Sequence, residues 1–410
     1  MALTPPPFVA AVVDALTLRI SRSWQVFIQS LYDLSLKTSS YIENVGNQNL
    51  IVWHDFELNP WDRGTSARPS GWIPGIVNTN YSDITHSRAT DAPTVAEADI
   101  YSIYCYDLSC DGAQTTSLTS KSAWTRTIIE GMDFRQIAQR PFTLSFWHKS
   151  NTVGVYSICF SNSALGRIYV GEYTQRTADT WEKAEVTVPA SPSAGTWLYA
   201  REEVGLNIDF MWLAGTTYQT APNVWTTYAQ TDPAGSPNQV NLLASTSNYM
   251  RLTLIKLEPG SYATAWHVYP LPDLLDRQSR YIDITKTDSN VNQTIANGIC
   301  LTTTTALIHI PFRNTKCLNL NVLMRNSSTL ASAPTLFRLR TSDGTWGSGT
   351  QGIALSSFVV TWNTTDMLTL TVTVGSADLV PGEPCVLETI ANANATLVTI
   401  CTLYGLHYTQ

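Results

Sequence analysis

The sequence predicts an all-β protein with a short N-terminal helix, a jelly-roll β-sandwich and a second, smaller β-sandwich. Only 14% of its 410 residues are charged, and residue types that favour strands are abundant. Apolar and polar residues alternate over short stretches, as they do in half-buried strands. Gly, Pro and Asn separate these stretches, and such spacing is typical of sandwiches and jelly-rolls.

The length allows two or three domains, each with its own core. We place an N-terminal anchor and oligomerisation segment at residues 1–46, because proline opens it and a helical pattern follows. The larger jelly-roll domain is predicted at residues 47–278. The smaller sandwich is predicted at residues 279–410, which are enough for one small core.

The net charge limits the classes of partner. Lys and Arg number 25 against 32 for Asp and Glu, which gives −7. Without a basic field we expect neither nucleic acid nor an anionic membrane surface as a partner. No apolar run reaches 18 residues, so membrane insertion is not expected. The first residues also lack the basic and apolar regions of a secretion signal.

The N-terminal segment contains an amphipathic helical pattern. Ser21 is a suitable N-cap, and apolar residues follow at spacings of three and four. A helix this short is marginal alone, so it needs a partner surface. That surface belongs to its own domain, to another copy of the chain or to another protein. The predicted oligomerisation residues are Trp24, Phe27, Leu31 and Leu34.

In the larger domain, alternation predicts strands at residues 142–147, 155–160 and 206–212. Residues 214–241 are rich in Thr and Pro, and they predict a long loop inserted at a domain edge.

The segment that connects the two domains, residues 259–278, is called the crossing below. It begins where the strand from Met250 ends at Pro259-Gly260, a pair that favours a type II turn. Two further prolines follow before Gln278. Because linkers make few contacts, we expect this crossing to separate two cores and to be cleaved by proteases near residues 260–285.

No motif of an enzyme stands out, and we predict a protein that is not an enzyme. GxSxG, HExxH and Walker sequences do not occur. Residues 347–352 spell GxGxxG, but no βαβ pattern surrounds them, which indicates a glycine-rich surface loop. Seven scattered cysteines are expected to be reduced thiols in apolar sites, with a disulfide or metal at Cys105 and Cys110 as the alternative.

An early group of acids, Asp55, Glu57 and Asp62, is the candidate for a structural Ca²⁺ site. Carboxylate oxygens are the ligands that Ca²⁺ prefers. The alternative is that these are solvated loop acids, since charged side chains are mostly exposed. No other cofactor is expected.

Thirteen tryptophans suggest a binding surface, because several lie outside clear strands. Sugar rings stack on exposed aromatic faces, whereas a core Trp usually falls in the alternating pattern. For any single Trp, burial in the core or at an oligomer contact is the alternative. The glycan-binding candidates are Trp61, Trp72, Trp124, Trp225 and Trp346.

The end of the larger domain resembles a motif of bacteriophage tail-fibre and virion appendage proteins that carry a carbohydrate-binding-like jelly-roll domain and a C-terminal β tip. Residues 49–57 and 141–150 resemble strands of the same proteins. Near the end of the motif, residues 277–282 lack the Cys and the second Tyr of the pattern. The matching residues are Leu257, Glu258, Gly260, Ala263, Thr264, Trp266, Pro270, Leu274, Arg280 and Tyr281.

The resemblance implies a homotrimeric virion fibre that attaches to a bacterial surface glycan by non-catalytic, multivalent binding. Other virion proteins would contact the N-terminal segment, and the chain would be made in the host cytoplasm. A purely structural collar or head-decoration fibre without receptor binding is the alternative. A depolymerase is a third class, which would need two carboxyls facing each other across a cleft.

Overall fold

The computed structural model describes residues 13–14, 19–20, 49–58, 71–286, 294–312, 320–326, 332–341, 353–363, 367–390 and 395–401. The predicted helix and its residues Trp24, Phe27, Leu31 and Leu34 lie outside the described residues. So do Trp61, Asp62, Trp346 and the GxGxxG stretch. Strands β1 (Val13–Asp14) and β2 (Arg19–Ile20) pair antiparallel.

The larger domain is a two-layered antiparallel β-sandwich, as predicted. One sheet has five strands in the order β10-β7-β13-β5-β4, and the other has six in the order β12-β9-β8-β11-β6-β3. The strands are β3 (Ile73–Val77), β4 (Ile84–Ala89), β5 (Cys105–Cys110), β6 (Ser122–Glu130), β7 (Phe142–Ser150), β8 (Gly154–Ser161), β9 (Arg167–Gln175), β10 (Glu182–Val188), β11 (Val204–Ala214), β12 (Trp225–Thr227) and β13 (Tyr249–Pro259).

The core lies between these two sheets, and the alternation of side chains explains it. In β7, Phe142 and Phe146 point inward and are fully buried. Phe146 meets Phe210 of the other sheet edge to face, with ring centroids 5.2 Å apart. Phe142 meets Phe160 in the same way at 5.6 Å. Such pairs add to the stability that apolar burial supplies.

Residues 49–58 lie along β13, at a bulge in that strand. Leu254 has a left-handed φ of 50° there, and the register against β7 shifts. The amide of Ile255 donates to the carbonyl of His54 at 2.8 Å, and the amide of Leu50 donates to the carbonyl of Leu257 at 3.0 Å. The bulge frees backbone groups of β13, and residues 49–58 bond with them.

Helices are few and short in the described part of the chain, and none there is long and apolar enough to cross a membrane. They are α1 (Val95–Ala98), α2 (Gly131–Phe134) and α3 (Leu271–Ser279), with 3₁₀ turns at Tyr81–Asp83, Leu118–Ser120, Thr216–Tyr218, Leu242–Ala244 and Pro334–Leu336. Helix α3 has a proline in its first turn, where the missing N–H costs no hydrogen bond.

The C-terminal part is all-β as predicted, but its form differs from the predicted sandwich. Six strands close into a barrel in the order β15-β16-β20-β19-β18-β21, and a separate sheet has the order β14-β22-β17. The strands are β14 (Ile282–Lys286), β15 (Thr294–Cys300), β16 (Thr305–Pro311), β17 (Leu320–Asn326), β18 (Phe337–Thr341), β19 (Ile353–Asn363), β20 (Met367–Val374), β21 (Pro384–Thr389) and β22 (Ala395–Cys401). Strand β21 pairs with both β15 and β18, which closes the ring.

The start of the crossing is held by a buried ion pair. The Glu258 carboxylate accepts hydrogen bonds from the amide and hydroxyl of Thr264, at 2.8 and 2.6 Å. Its Oε2 also lies 3.1 Å from Nζ of Lys256, and both charged side chains are almost fully buried. The motif residues Glu258 and Thr264 thus fold the crossing back onto β13.

The end of the crossing is tied to β6 by Glu130. This buried carboxylate accepts from Nε of Arg280 at 2.9 Å and from the hydroxyl of Tyr281 at 2.7 Å. The amide of Glu202 donates to its other oxygen at 2.7 Å. Arg280 and Tyr281, which the motif also contains, therefore anchor the chain to the sandwich immediately before β14 begins.

Candidate functional site

Trp72 is a core residue, so the prediction that it binds a glycan is wrong. Its side chain is 1% exposed, and its indole N–H donates to the carbonyl of Trp53 at 2.9 Å. Gly71 has a left-handed φ of 78°, and a Cβ there would lie 1.9 Å from the Trp53 ring. This glycine lets the chain turn inward directly before β3, which brings Trp72 against Phe210.

Trp124 is also unavailable to a ligand. It stands on the outer face of the six-stranded sheet and is 8% exposed. Its ring lies across Gly75 of the neighbouring β3, where a Cβ would be 2.1 Å from Cε2. It belongs to a second apolar cluster with Met211 and Ala234.

The predicted loop insertion, residues 214–241, packs over this outer face. The amide of Ser236 donates to the hydroxyl of Ser157 at 3.1 Å, and Gln239 donates to the carbonyl of Met211 at 3.0 Å. Asn238 adds a bond to Glu172 at 3.0 Å. The loop is therefore a fixed cover, and the buried Trp124 lies in the apolar cluster that it encloses.

Trp225 is the described candidate that remains at the surface. It begins the edge strand β12 and is half-buried. Its indole N–H donates to the carbonyl of Pro189 at 2.9 Å, which fixes the orientation of the ring. Tyr169 lies beside it with ring centroids 5.6 Å apart, and Trp197 meets it edge to face at 5.7 Å.

The aromatic contacts continue inward from Trp197. Phe134 stacks on Trp197 with centroids 5.3 Å apart, and Tyr199 stacks on Phe134 at 5.9 Å. Trp225, Trp197, Phe134 and Tyr199 thus form a row of four aromatic rings that passes through the buried Phe134, with Tyr169 beside Trp225 at the sheet edge. A partly exposed ring at the end of such a row is held rigidly.

Polar groups surround the exposed end of the row. Asn223 has a left-handed φ of 64°, and its side-chain oxygen lies 3.4 Å from the Tyr169 hydroxyl. The Arg167 guanidinium bonds the hydroxyl of Thr227 and the carbonyl of Ala194. We call Trp225, Tyr169 and Trp197, together with Asn223, Thr227 and Arg167, the Trp225 platform. It combines a fixed aromatic surface with donors and acceptors.

The structure adds one tryptophan that sequence reasoning missed. Trp147 is half-buried on the outer face of the five-stranded sheet, opposite Lys183 of β10 and Thr253 of β13. The alternation of β7 contained the signal. If Phe146 points inward, its neighbour Trp147 must point outward.

The acids proposed for Ca²⁺ make protein contacts. Glu57 Oε1 accepts from the amide of Ile103 at 2.6 Å and from the hydroxyl of Ser102 at 3.2 Å. Asp55 lies 3.3 Å from His54 Nδ1 and accepts from the amide of Glu57. Within the described ranges, no three His, Cys, Asp or Glu side chains come together as a metal site.

Five cysteines whose side chains the structure describes are buried free thiols: Cys105, Cys110, Cys159, Cys300 and Cys385. Burial raises the pKa of Cys105 and of Cys385 to about 12. These thiols stay protonated at neutral pH and are poor nucleophiles and metal ligands.

No family model matches the sequence, and no curated protein matches it. Several solved structures of carbohydrate-binding modules are similar to about half of the chain. TmCBM61, in complex with β-1,4-galactotriose, is 12% identical over 52% of this chain and 100% of that one, with a TM-score of 0.27. The family 11 module from Clostridium thermocellum, with a mixed-linked tetrasaccharide, is 13% identical over 47% and 91%, also at 0.27. A likeness at this level says nothing about what this chain binds.

Proposed function

We propose that this chain binds a glycan without catalysing a reaction on it, and that the Trp225 platform is the binding site. The observation that carries the proposal is the fixed ring of Trp225 at the sheet edge, held by its bond to Pro189 and by contacts with Tyr169 and Trp197. A ring that is already immobile loses little conformational entropy when a sugar stacks on it. The neighbouring Asn223 and Thr227 supply groups that can bond sugar hydroxyls.

The polar groups of the platform favour binding over hydrolysis. They are an amide, a hydroxyl and a guanidinium, whereas glycoside hydrolysis needs two carboxyls on either side of the bond. The platform therefore supports a binding protein rather than a depolymerase.

One stacked sugar contributes only a few kcal/mol, which corresponds to roughly millimolar affinity. Several copies on one particle raise the avidity by about 10²–10⁴, because later contacts become intramolecular. We therefore place the chain in a bacteriophage virion fibre, as a homotrimer attached to other virion proteins through its N-terminal segment. The support for this setting is the resemblance of the crossing motif, residues 257–281.

The test is binding of purified protein to surface polysaccharide extracted from host bacteria. We expect Trp225→Ala to weaken retention on the immobilised polysaccharide at least tenfold. Tyr101→Ala is the matched control, because Tyr101 is an exposed aromatic residue outside the platform. Equal binding by wild type and Trp225→Ala would overturn the proposed site.

A purely structural virion role is the second candidate function. The observation that favours it is the crossing fixed by Glu130 and Arg280, since a stiff connection suits a structural fibre. Adsorption of virions that lack the chain separates the two candidates. Normal adsorption without it, together with no polysaccharide binding by the pure protein, supports the structural role.

A further inference from the structure

The Trp225 platform carries a positive charge that has no carboxylate partner in the described part of the chain. This charge belongs to Arg167, the first residue of β9, which is half-buried. By contrast, Arg126 and Arg280 each pair with a buried carboxylate. A guanidinium without an internal countercharge is suited to bind an anion from outside the protein.

The strand register places this charge beside the exposed ring. Trp225 lies opposite Tyr169, and Thr227 lies opposite Arg167. Positions two apart on a strand share a face, so the two pairs present their side chains on one face, about 7 Å apart along β12. The Arg167 guanidinium donates to the hydroxyl of Thr227, which is itself exposed. The charge therefore lies at the surface next to Trp225.

The Arg167 side chain is held in place. Its Nε donates to the carbonyl of Ala194 at 3.2 Å. Gly195 leaves room for the aliphatic part of the side chain, since a Cβ there would lie 2.6 Å from Cγ of Arg167. Two of the five N–H groups of the guanidinium bond Ala194 and Thr227, which leaves three without a partner among the described residues. A fixed guanidinium loses little entropy when it bonds an anion.

We propose that the platform selects an acidic glycan, in which one sugar stacks on Trp225 and its anionic group bonds Arg167. The inference rests on the proposed function, because it names the class of glycan for the same site. The anionic group is a uronic acid carboxylate or a phosphate, since both match the geometry of a guanidinium.

The charge of the whole chain does not supply this preference. Its net charge of −7 repels an acidic polymer at long range. The preference for an acidic glycan therefore depends on direct contact with Arg167, and loss of this one guanidinium removes it.

The first test is binding of the full chain to three forms of the immobilised host surface polysaccharide. One form is native, one has its carboxylates reduced to alcohols, and one has its phosphates removed with hydrogen fluoride. We expect at least tenfold weaker binding of wild type to one of the two treated forms, which identifies the anionic group. Equal binding of wild type to all three forms overturns the preference for acid, whereas weaker binding of Trp225→Ala would still support the glycan site. A wild type that binds none of the forms overturns both proposals.

The second test assigns the preference to Arg167. Arg167→Gln should bind the native and the treated forms with equal affinity. Arg176→Gln is the matched control, because Arg176 carries the same charge outside the platform and its side chain is 75% exposed. This control should keep the full preference of the wild type. Arg167→Gln that still prefers the native form, or Arg176→Gln that no longer prefers it, overturns the role of Arg167.

Discussion

At the residue scale, His148 is a neutral histidine placed deep in the sandwich. It is 1% exposed, lies between the rings of Phe146 and Tyr173, and bonds Gln175 through Nδ1 at 2.9 Å. Burial lowers its pKa to about 4. Between pH 6.5 and 4, therefore, the unfolded state binds a proton that the folded state does not.

Because the unfolded state binds this additional proton, acid should destabilise the folded protein. As pH falls through that window, His148 reduces the free energy of unfolding by up to about 1.4 kcal/mol per pH unit. His148→Gln should remove this part of the pH dependence. Urea unfolding of both proteins at pH 7 and pH 5 measures it. A wild type and variant with identical losses between these pH values would show that His148 does not titrate as described.

The buried pair of Lys256 and Glu258 makes a second prediction. Burial lowers the pKa of Lys256, and Glu258 acts in the opposite direction. Glu258→Gln leaves a buried ammonium without its countercharge and should cost about 3–5 kcal/mol of unfolding free energy. Thr264→Val loses hydrogen bonds alone and should cost only about 1 kcal/mol.

Chemical denaturation measures both variants. The double variant Lys256→Met with Glu258→Gln is the control, and it should recover part of the loss because no unpaired charge remains. If Glu258→Gln is no worse than Thr264→Val, the ion pair is not what holds the crossing.

At the scale of elements, short-range patterns predicted the strands well. Alternation at residues 142–147 corresponds to β7, and alternation at residues 206–212 lies within β11. Trp72 was misplaced because its burial depends on Gly71 and on the distant Phe210, neither of which the local pattern reveals. Trp147 was missed although the alternation of β7 contained the answer.

Ion pairs hold both ends of the crossing, so the structure replaces the sequence-based expectation of ready cleavage with one of slow cleavage. These ends are fixed by Glu258 and Glu130, so cleavage near residues 260–285 should be slow in the wild type. Glu130→Gln removes the countercharge of Arg280 and should speed tryptic cleavage after Arg277 and Arg280 several-fold.

Mass spectrometry of timed digests gives the cleavage rates. Glu185→Gln is the matched control, since Glu185 pairs with Lys183 at the surface and surface pairs contribute little. Fast cleavage of the wild type at these arginines would contradict the anchoring role of Glu130.

At the scale of the whole molecule, the all-β class followed from composition and alternation, but the closure of the barrel did not. Inward and outward residues alternate in a sandwich and in a barrel alike. What distinguishes a barrel from a sandwich here is the pairing of β15 with β21, strands that lie far apart in the sequence.

Prediction of the glycan site from the sequence is limited in the same way, because the site depends on contacts between distant residues. Trp225 could be named from sequence, whereas Tyr169, Trp197 and Pro189 join it only in the fold.

The most direct measurement of the central claim is oxidative footprinting of aromatic side chains with and without host surface polysaccharide. Mass spectrometry follows the oxidation rate of each residue separately. The account predicts that bound polysaccharide slows oxidation of Trp225 at least several-fold, while Trp147 and the exposed Tyr101 react at unchanged rates. Polysaccharide that binds the protein but leaves the oxidation of Trp225 unchanged would contradict it.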